Sequence, residues 1–456
     1  MSAASPLPAP LAARAHAEMT RLEVPGVAVG VLHNGTTYAA GFGVTNIEHP
    51  LPVDEHTRFR IGSTSKTFTG TALATLIESG EVELDGPVRR YLPEFRLQSE
   101  PDAAALTIRH LATHHGGFVG DYFRDCGPGD DALARIVAKM ANSPQVTPAG
   151  AAFSYSNAGF YVLGRIIEAV TGESFEAAIR ERVIDPLGMQ ETHYFAEEAL
   201  RHAIAIGHVR TAGGPVALDW RSVRSIAPAS NVMSSALDQL RYAALHIGET
   251  PGLVLRAESG AAMQQELAPA GSMCDAMGLS WMLEDSGRDR IVKHGGAING
   301  QLSAFELVPA QRYACTVLTN SDSGRELRQT VADACRKHFL GSTAAPPRAD
   351  HVPGLDLRQY AGRYRATLST LRVVVAGETV TVVDETPERQ LAPGSPRPLP
   401  DEPCHLVFGA AGRAAVVDGP HSGERCEFLR GADATANDGP LAWMRWDGRL
   451  ARRSDD

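Results

Sequence analysis

Apolar positions along this chain recur with two periods, and the switches between them mark out its elements. Residues 9–22 carry apolar side chains at helical spacing, which predicts an amphipathic helix. The run Gly26-Val27-Ala28-Val29-Gly30-Val31-Leu32 then reads as a strand, Asn34-Gly35 as a type I′ turn, and Thr36 to Phe42 as the returning strand. A short strand over Arg58 to Ile61 leads into a segment where Phe68, Ala72 and Leu76 recur every four residues, as do Leu73 and Ile77. That pattern predicts a buried helix ended by Gly80. Residues 100 to 200 read as mainly helical, with breaks at Cys126-Gly127-Pro128-Gly129 and Pro148-Ala149-Gly150. Ala304 to Val308 and Tyr313 to Leu318 predict a second hairpin, and Glu326 to Phe339 a closing helix. The expected fold is α/β (α+β): an antiparallel sheet built from both ends of the segment and flanked by helices, with an all-helical insertion over about residues 85–200.

Periodicity lapses at Ser342-Thr343-Ala344-Ala345-Pro346-Pro347, so a first domain is expected over residues 1–341 and a linker over 342–353. Beyond it, Leu371 to Val375, Thr379 to Val383, His405 to Phe408 and Ala414 to Val417 are short β-type runs separated by turns. They predict a small antiparallel β-barrel over residues 354–456, with Pro387 to Pro403 as a proline-rich loop inside it.

Composition narrows the function classes. The 456 residues are 43% hydrophobic and 21% charged, ordinary for a globular protein with a large core. A net charge of −10 argues against nucleic acid or an anionic membrane surface as partner. The N-terminus lacks a charged start and an apolar run of signal-peptide type, and the six cysteines have no paired spacing. A cytoplasmic protein with reduced thiols is expected.

Three short segments carry candidate chemistry. In Ile61-Gly62-Ser63-Thr64-Ser65-Lys66, a serine stands three residues before a lysine where the strand pattern gives way to the helical one. Positions i and i+3 share a helix face, so the Lys66 amine can reach the Ser63 hydroxyl. A desolvated lysine can accept the proton that makes serine a nucleophile. The helix start, with free N–H groups and the positive dipole end, suits a developing oxyanion. The same spacing also fits an N-cap serine with a solvated lysine one turn on. The second segment is Phe153-Ser154-Tyr155-Ser156-Asn157, read as extended, with phenol and amide on one side. A phenol can relay a proton and an amide can hold a lysine or a substrate; an ordinary tyrosine and a helix-capping asparagine fit equally. The third is Lys293-His294-Gly295-Gly296-Ala297, where two glycines on a strand allow close backbone approach and a backbone N–H could complete an oxyanion hole. A strand-end turn is its alternative.

Taken together, the three segments resemble the penicillin-binding protein and class C β-lactamase-like family of serine hydrolases. The resemblance covers about residues 15 to 340 and extends to Leu84-Asp85-Gly86-Pro87, Tyr91-Leu92-Pro93, Leu111-Ala112-Thr113-His114, Pro186-Leu187-Gly188-Met189, Gly278-Leu279-Ser280-Trp281 and Val317-Leu318-Thr319-Asn320. It implies Ser63 as nucleophile, Lys66 as its proton acceptor and Tyr155 as partner base, with Asn157 contacting Lys66 and substrate. The third motif falls on His294, Gly295 and Gly296, with Ala297 supplying an oxyanion N–H beside that of Ser63. Lys293-His294-Gly295 fits a lysine form of that motif one residue earlier; a one-residue shift on a strand turns the side chain to the other face. The second glycine and Asn299-Gly300 favour His294 as the inward residue. A histidine, mostly neutral at pH 7, points away from substrates with a free carboxylate and toward the family's esterases, amidases, aminopeptidases and acyltransferases. The implied function is a serine hydrolase cleaving an ester or amide through an acyl-enzyme on Ser63, or a transacylase passing the acyl group to an amine or alcohol. The expected substrate is a small molecule or short peptide, with no cofactor and no metal. Leu355 to Tyr364 resembles the start of the lipocalin-like domain appended to some members.

Other residues are read more plainly. His114 and His115 are adjacent, without metal-ligand spacing, and are expected to be structural. Pro228-Ala229-Ser230-Asn231 stands where the family has Pro-Ala-Gly-Gly. Asp121, Asp125, Asp130 and Asp131 are expected to form a solvated acidic loop.

Overall fold

The strand Gly26–His33 shows why the sheet sits where it does: nearly every residue in it is buried, on both faces. Val27, Val29 and Val31 pack under the helices Ala9–Leu22 and Gly324–Leu340, together with Leu11, Ala15, Leu327 and Val331. Ala28 and Leu32 point the other way, into the larger core that holds the helices Ser65–Glu78 and Ala236–His246. A strand buried on both faces reads as a continuous apolar run rather than an alternating one.

The computed structural model describes residues 4–341, 351–386, 396, 398–400, 402–419, 421–435 and 439–454. Nine strands form the main sheet. Gly26–His33 pairs antiparallel with Thr36–Gly43 on one side and with Tyr313–Thr319 on the other, so strands from both ends of the segment meet in its centre. Gln301–Val308 and Arg290–Ile298 continue the sheet antiparallel toward its far edge. The elements from Val88–Tyr91 to Ala196–Ala199 are all helical and lie on the side of the larger core.

The helix Ser65–Glu78 is buried on almost every side although it carries four threonines. All four hydroxyls donate to backbone carbonyls: Thr67 to Thr64 O at 2.8 Å, Thr69 to Pro228 O at 2.7 Å, Thr71 to Thr67 O at 3.0 Å and Thr75 to Ala72 O at 2.7 Å. Such bonds let polar residues occupy a core helix.

The C-terminal strands close into an antiparallel barrel of eight. Four of them match the predicted runs, and Gly362–Arg365, Arg425–Arg430, Leu441–Trp446 and Arg449–Ser454 complete the ring. Tyr360, Tyr364, Phe408, Phe428 and Met444 fill its interior, so it is a packed core. Residues 342–350 of the expected linker, and most of the proline-rich run 387–403, lie outside the described residues. Among the described residues, no helix is long and apolar enough to cross a membrane.

Candidate active site

Gly62 starts the site. Its φ of +54° is a left-handed conformation that suits glycine, and a Cβ there would lie 2.5 Å from the Ala297 backbone nitrogen. The strand Arg290–Ile298 and the turn Gly62–Thr64 are thus pressed backbone to backbone. Gly296 repeats the requirement from the other side, because its Cβ would meet Ile61 O at 1.9 Å. Sequence reasoning included Gly296 and missed Gly62. This approach brings the N–H of Ala297 beside Ser63, where a backbone donor can face a developing oxyanion.

Ser63 lies in a 3₁₀ turn that runs into the helix Ser65–Glu78, and Lys66 follows one turn on. Lys66 Nζ is 3.1 Å from Ser63 Oγ, 2.7 Å from Asn157 Oδ1 and 3.0 Å from Ala229 O. Two of these partners are pure acceptors. A neutral amine has two N–H groups, which Asn157 and Ala229 take up, leaving its lone pair toward the serine hydroxyl. The rings of Tyr155 and Phe160, centred 4.9 and 5.5 Å from Nζ, wall it from water. Burial pushes the Lys66 pKa well below its usual 10.5; the Arg449 guanidinium adds to that push and Asp121 opposes it.

Tyr155 is hydrogen-bonded to Ser63, and burial pushes its pKa up, so the phenol keeps its proton. Asn157 departs from the extended reading: it is the first residue of the helix Asn157–Thr171, whose N-cap Ser156 accepts from Gly159 N at 3.0 Å. The cap turns the chain between Tyr155 and Asn157, yet both side chains reach Ser63 and Lys66.

His294 lies on the same face of its strand as Gly296, with its ring centroid 6.3 Å from that of Tyr155. The neighbouring Lys293 turns away and pairs with Glu284. His294 Nδ1 donates to Gly295 O at 2.7 Å, so the lone pair sits on Nε2, which has no hydrogen-bond partner among the described residues. Burial, helped by Lys66, lowers its pKa to about 3. The ring therefore offers an acceptor, not a cation. Gly295 faces the opposite side, toward Arg328.

His114 is buried; its Nδ1 accepts from Ser156 N at 3.0 Å, and its ring stacks on Tyr155 at 4.3 Å. It buttresses the tyrosine segment. The expectation of a solvated acidic loop fails for Asp121. That residue is only 8% exposed, accepts from Asn157 Nδ2 at 2.8 Å, and is ion-paired at 2.6 Å with Arg449 of the barrel. Asp130 and Asp131 are exposed and pair with Arg224 and Arg135. Asp121, Arg449 and the Ala229 carbonyl were not among the site residues read from sequence.

A family model for Beta-lactamase matches residues 11–338. The chain belongs to the β-lactamase family. Within this serine hydrolase family, the chain is 33% identical over 356 residues to Penicillin-binding protein 4 of Amycolatopsis lactamdurans, covering 73% of this chain and 93% of that one. Among solved structures, SurE superposes with a TM-score of 0.75 at 23% identity over 98% of both chains, and is also known with D-Leu, at a TM-score of 0.73 and 22% identity, covering 98% of this chain and 99% of that one. The D-amino acid amidase of Ochrobactrum anthropi SV3 complexed with D-phenylalanine matches with a TM-score of 0.60 at 22% identity, covering 72% of this chain and all of the other. The match to SurE spans the barrel as well as the β-lactamase-like domain.

Proposed function

We propose that this β-lactamase-family chain is a serine acyl hydrolase that cleaves an ester or amide through an acyl-enzyme on Ser63. The observation that carries the reading is the buried Lys66 amine, 3.1 Å from Ser63 Oγ with both its N–H groups taken by acceptors. Lys66 takes the hydroxyl proton as Ser63 attacks the carbonyl. The N–H groups of Ser63 and Ala297 hold the oxyanion. The protonated Tyr155 phenol gives its proton to the leaving group, and the same oxygen then takes one from the water that releases the acid, while Lys66 returns its proton to the departing Ser63 oxygen.

His294 supports a substrate class. A neutral acceptor pairs with an N–H and gives a carboxylate no counter-charge, so an amide- or amine-bearing substrate fits better than one with a free carboxylate at this point. D-Leu with SurE, and a D-amino acid amidase among the similar structures, suggest acyl groups derived from D-amino acids, presented as small molecules or short peptides. The buried, free thiols of Cys126, Cys274, Cys315, Cys335 and Cys426 support a cytoplasmic setting.

The test is intact mass after exposure to activated esters and amides of D- and L-amino acids, with Ser63→Ala as control. The expected result is a Ser63-dependent acyl adduct that decays to free acid, faster for D than for L. Amide formation at low amine concentration would instead assign a transacylase. Lack of any Ser63-dependent adduct with every donor would remove the acyl-enzyme reading.

The same assay gives a pH test. Only the neutral amine can accept the serine proton, so acylation rises with pH as Lys66 deprotonates. With that pKa depressed, the acid limb is expected well below 10.5, and lowering the pH through it abolishes acylation. A limb near 10.5 would mean a solvated ammonium.

A further inference from the structure

The last hairpin of the barrel, Leu441–Trp446 and Arg449–Ser454, does more than touch the first domain. Its turn is Asp447-Gly448, with φ of 45° and 75°, the left-handed pair of a tight type I′ connection. That turn lies against the segment that holds Tyr155. Arg445 Nε donates to Phe153 O at 3.1 Å, Leu450 N to Ser154 Oγ at 3.2 Å, and Tyr155 N to Gly448 O at 2.9 Å. Three consecutive residues ending at the tyrosine are each fixed by the barrel. From the same turn, Arg449 spans to Asp121 and places its guanidinium 4.9 Å from the centroid of the Tyr155 ring. Asp121 in turn holds Asn157 Nδ2 at 2.8 Å, and the other end of that amide holds Lys66 at 2.7 Å. The order Arg449, Asp121, Asn157, Lys66 is an unbroken chain of hydrogen bonds from the second domain to the amine beside Ser63.

We propose that Asp121 and Arg449 are positioning residues of the acyl-transfer site, and that docking of the barrel hairpin sets the charge balance around Lys66. The proposal rests on the reading of Ser63 and Lys66 given above. Asp121 fixes which end of the Asn157 amide faces Lys66: its oxygens can only accept, so the NH₂ turns to Asp121 and the carbonyl to the amine. Left alone, that carboxylate would favour the ammonium form of Lys66. Arg449 compensates it, and with the barrel docked the amine stays neutral. The other groups facing Lys66 are uncharged: His114 and His294 are buried with pKa values pushed down, and Tyr155 is buried with its pKa pushed up. Arg449 itself stays charged, since Asp121 and Asp447 outweigh the effect of its burial.

The chain contains only four lysines, Lys66, Lys139, Lys293 and Lys337. Full-length protein labelled with carbon-13 at lysine Cε therefore gives four titrating signals, with Lys66 assigned by its loss in Lys66→Met. Arg449→Gln leaves Asp121 uncompensated and is expected to raise the Lys66 midpoint by about half to one pH unit. Asp121→Asn keeps an acceptor for Asn157 but leaves Arg449 paired with Asp447 alone, and is expected to lower the midpoint by a similar amount. Arg449→Lys keeps the charge and should restore a midpoint near that of the unaltered protein. A purely structural role would not move the midpoint in opposite directions. Unmoved midpoints, or shifts of one sign in both variants, would overturn the proposal; if Arg449→Gln does not fold, the direction seen in Asp121→Asn decides. This readout needs no turnover, so failure of the acyl-enzyme reading, seen as absence of Ser63 adducts, is distinguished from failure of this one.

Discussion

Lys66→Met is expected to slow acylation of Ser63 by about a thousandfold or more at neutral pH, the upper part of the range for removal of a positioned general base. Methionine has nearly the length of lysine and suits the apolar walls made by Tyr155 and Phe160. It has no lone pair basic enough to take the serine proton. It also leaves Asn157 Oδ1 and Ala229 O without their buried donor, at a cost of about 1–3 kcal/mol for each group that finds no other partner. The variant must therefore be shown to be folded, by circular dichroism and a melting curve, before its rate is read. Labelling by an activated ester within about tenfold of the unaltered rate would remove Lys66 as base. Tyr155→Phe supplies the contrast. A phenol that keeps its proton is a donor, so its loss should matter little with a good leaving group and strongly with an amide, whose nitrogen must be protonated to depart. Equal losses with ester and amide would place Tyr155 in the attack step instead.

The parts of this architecture that were legible are those set by local pattern. The hairpin at Asn34-Gly35, the buried helix after Ser63 and the strand–turn–strand at residues 301–319 depend on side-chain period and turn chemistry within about twenty residues. The departures have physical causes. Asn157 reads as extended because Tyr-x-Asn alternates like a strand, but the N-cap bond from Gly159 N to Ser156 Oγ decides the conformation. Asp121 reads as solvated because it opens a run of acidic residues, and nothing near it in the chain distinguishes it from Asp125 or Asp130. Its partner is Arg449, 328 positions away. The Asp-Gly turn before Arg449 signals a tight hairpin, but not the surface on which that hairpin docks. Ala229 contributes a carbonyl, and backbone groups carry no mark in a sequence of side chains.

The appended barrel acts through its rim. Tyr360, Tyr364, Phe408 and Phe428 occupy the interior, so a ligand would have to displace packed aromatic rings. The surface that matters is the Asp447-Gly448 turn, where a Cβ on residue 448 would approach Met273 Sδ at 2.8 Å and Tyr155 Cβ at 3.3 Å. The second domain thus packs directly against the segment that carries Tyr155.

Adjacent glycines in the third motif give the sharpest geometric test, because they face opposite ways. In Gly296→Ala the new methyl would sit 1.9 Å from Ile61 O, a backbone atom next to Gly62 and two residues before Ser63. Neither side can swing away as a flexible side chain would. The strand Arg290–Ile298 must move off the turn that carries the nucleophile, taking the Ala297 N–H with it. Loss of one oxyanion donor is expected to lower acylation by about a hundred- to a thousandfold, and the overpacking to cost about 1–3 kcal/mol of stability. Gly295→Ala is the control. Its methyl meets Arg328 Nη1 and Ser303 O at 3.4 Å, at the edge of ordinary contact and on the face away from Ser63. It should keep acylation within about threefold and stability within about 1 kcal/mol of the parent. Rates measured with one activated ester, beside melting temperatures, separate the two effects. If Gly296→Ala loses stability but acylates normally, the Ala297 N–H is not an oxyanion donor. If Gly295→Ala is the inactive variant, the strand presents its other face to the substrate, and Lys293 rather than His294 lines the site.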